Sequence, residues 1–189
     1  MRIISGKARG TNLYTLKGMT TRPTLDRVKE SLFNIIQNKI PNCLFLDLFA
    51  GSGAIGLEAA SRGAEKVILC DKSKEAIEII RKNIEKTHMN DKVELYNLDY
   101  ESVLKNKITD TLDIIYIDPP YESEYAIKSI EIILEKKLVN EKSIIIVETD
   151  NEEKILKELE NLPINVIDQR KYGRASIIFL KKWARVRKG

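Results

Sequence analysis

Between Cys43 and Glu160 five short apolar runs alternate with five amphipathic ones, and this alternation leaves few folds open. Runs of five or six mostly apolar residues suit strands covered on both faces, while the segments between them repeat their apolar residues at helical spacing. The order predicts strands at 43–48, 66–70, 93–97, 112–117 and 143–148, with helices at 54–62, 73–88, 100–106, 124–137 and 151–160. Alternating units of this kind build a parallel, doubly wound α/β sheet. Upstream, Leu25, Val28, Leu32, Ile35 and Ile36 predict an amphipathic helix from Thr24 to Ile40, capped by Thr24 and ended by Pro41, after a loose basic start. Downstream, 164–171 and 175–181 flank the turn signal Tyr172-Gly173-Arg174, so a hairpin should close a seven-stranded sheet with an antiparallel last strand.

In an open α/β sheet, ligands bind outside the carboxyl ends of the strands. Acids stand there four times, at Asp47, Asp71, Asp99 and Asp118. Asp47 precedes Gly51-Ser52-Gly53-Ala54-Ile55-Gly56, the G-x-G-x-x-G spacing of a turn that lets a ligand approach the backbone, with Gly56 allowing close helix packing. Asp71, about 20 residues on, is placed for ribose hydroxyls. A carboxylate at Asp47 would repel a pyrophosphate but attract an ammonium, which favours S-adenosylmethionine over a dinucleotide. Asp99 could accept from an adenine amino group. The alternative is that each Asp caps the helix that follows it.

The fourth strand ends in Asp118-Pro119-Pro120-Tyr121. Two prolines fix φ and remove two donors, so their backbone offers acceptors alone beside a stacking ring. Such a shelf suits a flat base that carries an exocyclic amine. The plainer alternative is a stiff turn with a solvated Asp.

Asp47-Leu48-Phe49-Ala50-Gly51-Ser52-Gly53 with Asp118-Pro119-Pro120-Tyr121 resembles the S-adenosylmethionine-dependent amino-methyltransferases. Arg2 through Gly10 and Arg22 through Asn34 narrow the resemblance to the RsmD-type guanine-N2 methyltransferases of small-subunit (16S) ribosomal RNA, from Arg2 to about Leu180. It implies a Rossmann-like class I methyltransferase domain over 1–181, with a basic N-terminal extension to about 21, and a basic tail at 182–189. Asp118, Pro119, Pro120 and Tyr121 become the catalytic set. Arg22, Thr24, Asp47, Phe49, Ala50, Gly51, Ser52, Gly53, Gly56, Asp71, Lys72, Leu98, Asp99 and Tyr100 become the cofactor set, Arg22 and Thr24 at its methionine end. Tyr100 departs from the small residue expected after Asp99, and Lys181 to Gly189 lies outside the family pattern.

The net charge of +4 hides an asymmetry: residues 1–41 carry +6 and 170–189 carry +8, leaving −10 for the middle. Basic ends around an acidic core suit a polyanionic substrate, since Lys and Arg displace counterions from phosphates. Arg2, Lys7, Arg9 and Arg174 are the expected RNA contacts, the partner being ribosomal RNA, free or within a small-subunit particle. A solvated tail is the alternative for Arg185 to Lys188. At 189 residues with 43% apolar content, one compact domain is expected, a monomer without a separate recognition domain. No apolar run reaches membrane length and no leader pattern opens the chain, so the expected location is cytoplasmic. Cys43 and Cys70 read as core thiols, His88 as a surface residue, and no metal site is expected. The competing functions are methylation of DNA adenine N6 or another exocyclic amine, a non-catalytic nucleic-acid-binding module on the same fold, and a dinucleotide oxidoreductase.

Overall fold

The computed structural model describes residues 1–16, 23–120 and 124–184, with backbone alone at 23–25. Strands β1 (Leu44–Asp47), β2 (Lys66–Cys70), β3 (Val93–Tyr96), β4 (Ile114–Ile117) and β5 (Ile144–Thr149) run parallel. β7 (Ala175–Lys182) lies between β5 and β6 (Ile164–Tyr172), antiparallel to both, in the order β3-β2-β1-β4-β5-β7-β6. This is the expected seven-stranded sheet. Helices α2 (Ala54–Ser61), α3 (Lys74–Thr87), α4 (Tyr100–Asn106), α5 (Tyr125–Glu135) and α6 (Glu152–Leu159) supply the connections, following α1 (Pro23–Ile36).

The central strands β1, β4 and β5 are apolar up to their carboxyl ends because both faces are covered, whereas the edge strands β3 and β6 carry charged residues. Phe45, Ile114, Tyr116, Ile144 and Ile146 point toward the layer of α1, α2 and α3. Leu46, Ile115, Ile117, Ile145 and Val147 point toward α4, α5 and α6. Strand order reverses between β1 and β4, so a crevice opens at the carboxyl ends of those two strands. Gly53 caps α2 at φ +79°, and a Cβ at Gly56 would meet Leu69 Cδ2 at 2.2 Å and Val67 Cγ1 at 3.0 Å, so glycine lets α2 lie this close to β2 without displacing those side chains.

Two expectations at the amino end need correction. The basic start is ordered: Ile3 N–H donates to Thr11 O and Leu13 N–H to Met1 O, both at 2.9 Å, forming a narrow hairpin with Ile3 and Leu13 in the core. Its anchor is Glu58, which is fully buried and accepts from Ile4 N at 2.8 Å, Ser5 N at 3.0 Å and Arg62 Nε at 2.7 Å, while pairing with the buried Lys29 ammonium at 3.1 Å. A buried acid with this many donors is held in one place. The first helix begins at Pro23, not Thr24, as proline favours the first helical position. It yields to a 3-10 turn at Gln37–Lys39 before Pro41.

Candidate methyl-transfer crevice

The structure brings the acids that end β1, β2 and β4 to one edge of the sheet, with Asp99 beside them after β3. Asp47 is 1% exposed; its Oδ2 accepts from Gly56 N at 3.1 Å, and its buried Oδ1 has no partner among the described residues. Burial pushes this carboxyl up to about 7, against the pull of the Gly56 N–H, and the nearby Asp71 charge adds to the rise. A buried acceptor left open is costly, so Asp47 suits a cationic donor. Asp71 accepts from Gly51 N at 2.9 Å and from Ser73 N at 2.8 Å, one oxygen each, so it ties the glycine loop to the start of α3. Each carboxylate oxygen has a second lone pair, enough for a diol. These acids and the glycine loop fit the ammonium and ribose of S-adenosylmethionine.

Asp99 behaves as a helix cap. Its oxygens accept from Ser102 N at 3.0 Å and Ser102 Oγ at 2.7 Å, and these bonds hold its carboxyl below its ordinary value. Asn97 stabilises the neighbouring turn by donating to the Asp71 and Lys72 carbonyls, and the Leu98 carbonyl takes the Cys70 thiol. Phe49, Tyr100 and Tyr125 form a three-ring wall: Phe49 and Tyr125 are nearly parallel at 6.3 Å, and Tyr100 tilts against Tyr125 at 5.0 Å. Lys72 Nζ stands 5.8 Å from the Tyr125 ring. Tyr100 is therefore packed into the wall, 8% exposed. Ala50 N–H donates to Cys70 O and the Ser52 carbonyl accepts from Asn83 Nδ2, so the glycine loop is tied to β2 and to α3.

Asp118 is open to the crevice, yet protein crowds its inner side. That burial, then the charges of Glu148 and Asp47, pushes its carboxyl well above the usual range. Solvent exposure of its outer side tempers the rise. Pro119 and Pro120 follow directly. Tyr121, Arg22, the side chain of Thr24 and the tail from Arg185 on lie outside the described residues.

The expected RNA contacts are split between two edges. Arg174 lies in the β6–β7 turn, level with the end of β5 and so at the crevice edge. Lys7 and Arg9 lie at the opposite edge, where Lys7 N–H donates to Ser61 O at the end of α2. There they line a cleft of about 410 Å³ with Lys86, His88 and Lys92, and Asp91 is its one acid. Lys86 Nζ sits 4.4 Å from the ring of Tyr14, which is 49% exposed. α3 separates this cleft from Asp71 by its 14 residues, about 21 Å. Arg2 lies instead against α1, 3.9 Å from Asp26.

Sequence reasoning missed Tyr125, Lys86, Lys92 and Glu148. The lysines lacked any local signal, since the hairpin brings Lys7 and Arg9 to them only in three dimensions. Tyr125 could have been found as an aromatic opening α5. Among the described residues no cluster of acids, thiols or imidazole could hold a metal, and no helix is long and apolar enough to cross a membrane.

The family model described as conserved hypothetical protein 95 matches residues 1–181. YlbH of Bacillus subtilis is 33% identical over 184 residues, spanning 96% of this chain and 99% of that one. The ribosomal RNA small subunit methyltransferase D of Haemophilus influenzae is 34% identical over 158 residues, 82% of each chain. The solved structure of yhhF from Escherichia coli superposes with a TM-score of 0.83 at 28% identity, covering 97% of this chain and 98% of that one.

Proposed function

Because the chain belongs to the family described as conserved hypothetical protein 95, and so is a methyltransferase, we propose that it moves the methyl group of S-adenosylmethionine to N2 of a guanine in small-subunit ribosomal RNA. The observation that carries the reading is the pairing of two unlike acids in one crevice. Asp47 offers a buried open oxygen to a cation, while Asp118, two prolines beside it, offers acceptors to an amine at the mouth. Asp47 would hold the ammonium, Asp71 the ribose hydroxyls, and the Phe49–Tyr100–Tyr125 wall would bound the adenine side. The group supplies an electrophilic methyl on sulfonium sulfur.

The remaining work belongs to the chain. Holding the nitrogen against the methyl carbon can gain about 7–11 kcal/mol when the pair is well oriented. Guanine N2 is a poor nucleophile because its lone pair is spread into the ring. Asp118 and the Pro119 carbonyl would accept its two hydrogens, favour a pyramidal nitrogen and stabilise the charge that grows there. Tyr121 would stack on the base, which must be unpaired or flipped out to reach the shelf. Arg174 at the crevice edge, and Lys7 and Arg9 at the far cleft, would contact phosphates, which needs a substrate long enough to span both.

The test is incubation with labelled S-adenosylmethionine and either naked ribosomal RNA, small-subunit particles or duplex DNA, followed by identification of the modified nucleoside. N2-methylguanosine in RNA is the expected product. Methylated adenine in DNA would establish the rival amino-methyltransferase reading instead.

A further inference from the structure

Glu148 is a half-buried acid to which the proposed chemistry assigns no task. β4 and β5 pair with Ile117 opposite Val147, so the next positions along, Asp118 and Glu148, stand side by side at the crevice end. Alternation puts both on the face that carries Tyr116 and Asp47. The Tyr116 hydroxyl, on a side chain 3% exposed, donates to Glu148 Oε2. Burial first, and then the neighbouring acids, keeps the Tyr116 phenol protonated, so it is the donor in that bond. Two carboxylates thus end adjacent strands, one anchored from below and one open to the mouth.

We propose that Glu148 is a positioning residue for methyl transfer, the anchored second carboxylate that makes Asp118 the acceptor of the proton shed by the substrate amine. The proposal rests on the reading of Asp118 as partner of a guanine amine. As the N2 lone pair forms the N–CH3 bond, the C–S bond breaks and its electron pair goes to sulfur. The nitrogen is left with a positive charge and two hydrogens, and it is neutralised by giving one to Asp118, which later releases it to water at the mouth. A lone exposed carboxylate is a weak base for this task. A like charge beside it strengthens its hold on a proton. Burial raises the Glu148 carboxyl and the Tyr116 bond pulls against that rise, whereas Asp118 is raised by burial and then by the Glu148 charge, with no such bond against it among the described residues. The anchored geometry therefore makes Glu148 the member that keeps the charge and Asp118 the one that takes the proton. Among the described residues the groups facing the pair are Asp47 from β1 and Tyr116 from β4, while β7 sets the apolar Ile177 beside Glu148.

The experiment is the pH profile of single-turnover methylation at saturating S-adenosylmethionine, for the parent and for Glu148→Gln, Glu148→Asp and Tyr116→Phe. Asp118 must be ionised to accept, so the parent rate should fall as pH drops through its raised titration. Glu148→Gln should move that acid limb to lower pH by about one unit and lower the plateau about tenfold or more, within the usual worth of general acid–base catalysis. Affinity for S-adenosylmethionine should be unchanged. Glu148→Asp, which keeps the charge, should restore the limb. A residue with only a structural role would lower stability or rate and leave the limb in place, and an unmoved limb in folded Glu148→Gln overturns the proposal. If that variant does not fold, Tyr116→Phe carries the test: it keeps the ring and loses the anchor, and a limb and plateau identical to the parent's would overturn it equally. Absence of N2-methylguanosine from the parent reaction sinks the underlying reading instead. That failure is distinguishable, because the limb can be recorded on whichever amine the parent methylates.

Discussion

Asn83 ties Ser52 of the glycine loop to α3, its Nδ2 donating to Ser52 O at 2.9 Å. The same amide grips the N-terminal hairpin, donating to Tyr14 O at 2.9 Å and accepting from Tyr14 N at 2.8 Å. The glycine loop and the basic arm are therefore fixed by one fully buried side chain. Asn83→Ala should cost about 1–3 kcal/mol, mostly from the buried Ser52 carbonyl left without its donor, because the half-exposed Tyr14 backbone can turn to water. Chemical denaturation measures this. A variant as stable as the parent would show that the loop is held by its other contacts alone.

Asp71 has two jobs if the ribose reading holds. Asp71→Ala should weaken S-adenosylmethionine binding by about 1.5–3 kcal/mol, the range for bonds to a charged partner. Because Asp71 also accepts from Gly51 N and Ser73 N, part of that loss could come from a slack loop. Titration calorimetry on Asp71→Asn separates the two, since the amide keeps one acceptor oxygen but loses the charge. Unchanged affinity in both variants would leave Asp71 as a cap and nothing more.

The legible part of this molecule is the part written in local pattern. Strands such as Ile114–Ile117 and the capped start of α3 at Ser73 are set by residues close in sequence, and they fall where periodicity places them to within two residues. The hairpin of residues 1–13 was not legible, because its order comes from Glu58 and Ser61, more than fifty residues away. The same limit applied at the site. Asp47, Asp71, Asp99 and Asp118 could be named because each ends a strand, and the capping of α4 by Asp99, three residues from its partner Ser102, was local enough to stand among the expected alternatives. The bond from Tyr116 to Glu148, by contrast, depends on side-chain directions that only the packed sheet fixes.

Asp47 makes ligand binding depend on pH. Its carboxyl titrates at about 7 in the ligand-free protein, raised chiefly by burial, so below that value it is largely protonated. An ammonium binds the ionised form, and binding must then release a proton. Affinity for S-adenosylmethionine should therefore tighten as pH rises toward about 7, by up to tenfold per unit, and level off above. Calorimetry in buffers of different ionisation enthalpy reports the released proton directly. Affinity that stays flat from pH 5.5 to 8 would remove Asp47 from the ammonium site.

The far cleft makes a prediction about salt. Replacing Lys7, Arg9 and Lys86 together by alanine should reduce the slope of log RNA affinity against log salt by roughly 2 to 3 units, each phosphate contact being worth about 0.7–0.9. Binding of S-adenosylmethionine should not change, since α3 holds the cleft about 21 Å from Asp71. An unaltered slope would confine RNA contact to the crevice edge, where Arg174 stands.

Asp118 and Tyr121 should separate chemistry from capture. Asp118 stands beside the strand that carries Asp47 but is not needed to hold the ligand's ammonium, so Asp118→Ala should leave cofactor affinity nearly intact. It should lower kcat by about 10²–10³, the usual cost of removing one preorganised partner of a transition state. Tyr121→Ala should instead raise the RNA concentration needed for half-maximal rate, because a stacked base is worth about 1–3 kcal/mol, while Tyr121→Phe keeps the ring and should be mild. Steady-state kinetics over a wide RNA range distinguishes the two effects. If Tyr121→Ala methylates dilute RNA as fast as the parent, the base does not stack there, and full activity in Asp118→Ala would end the assignment of Asp118 as the amine's partner.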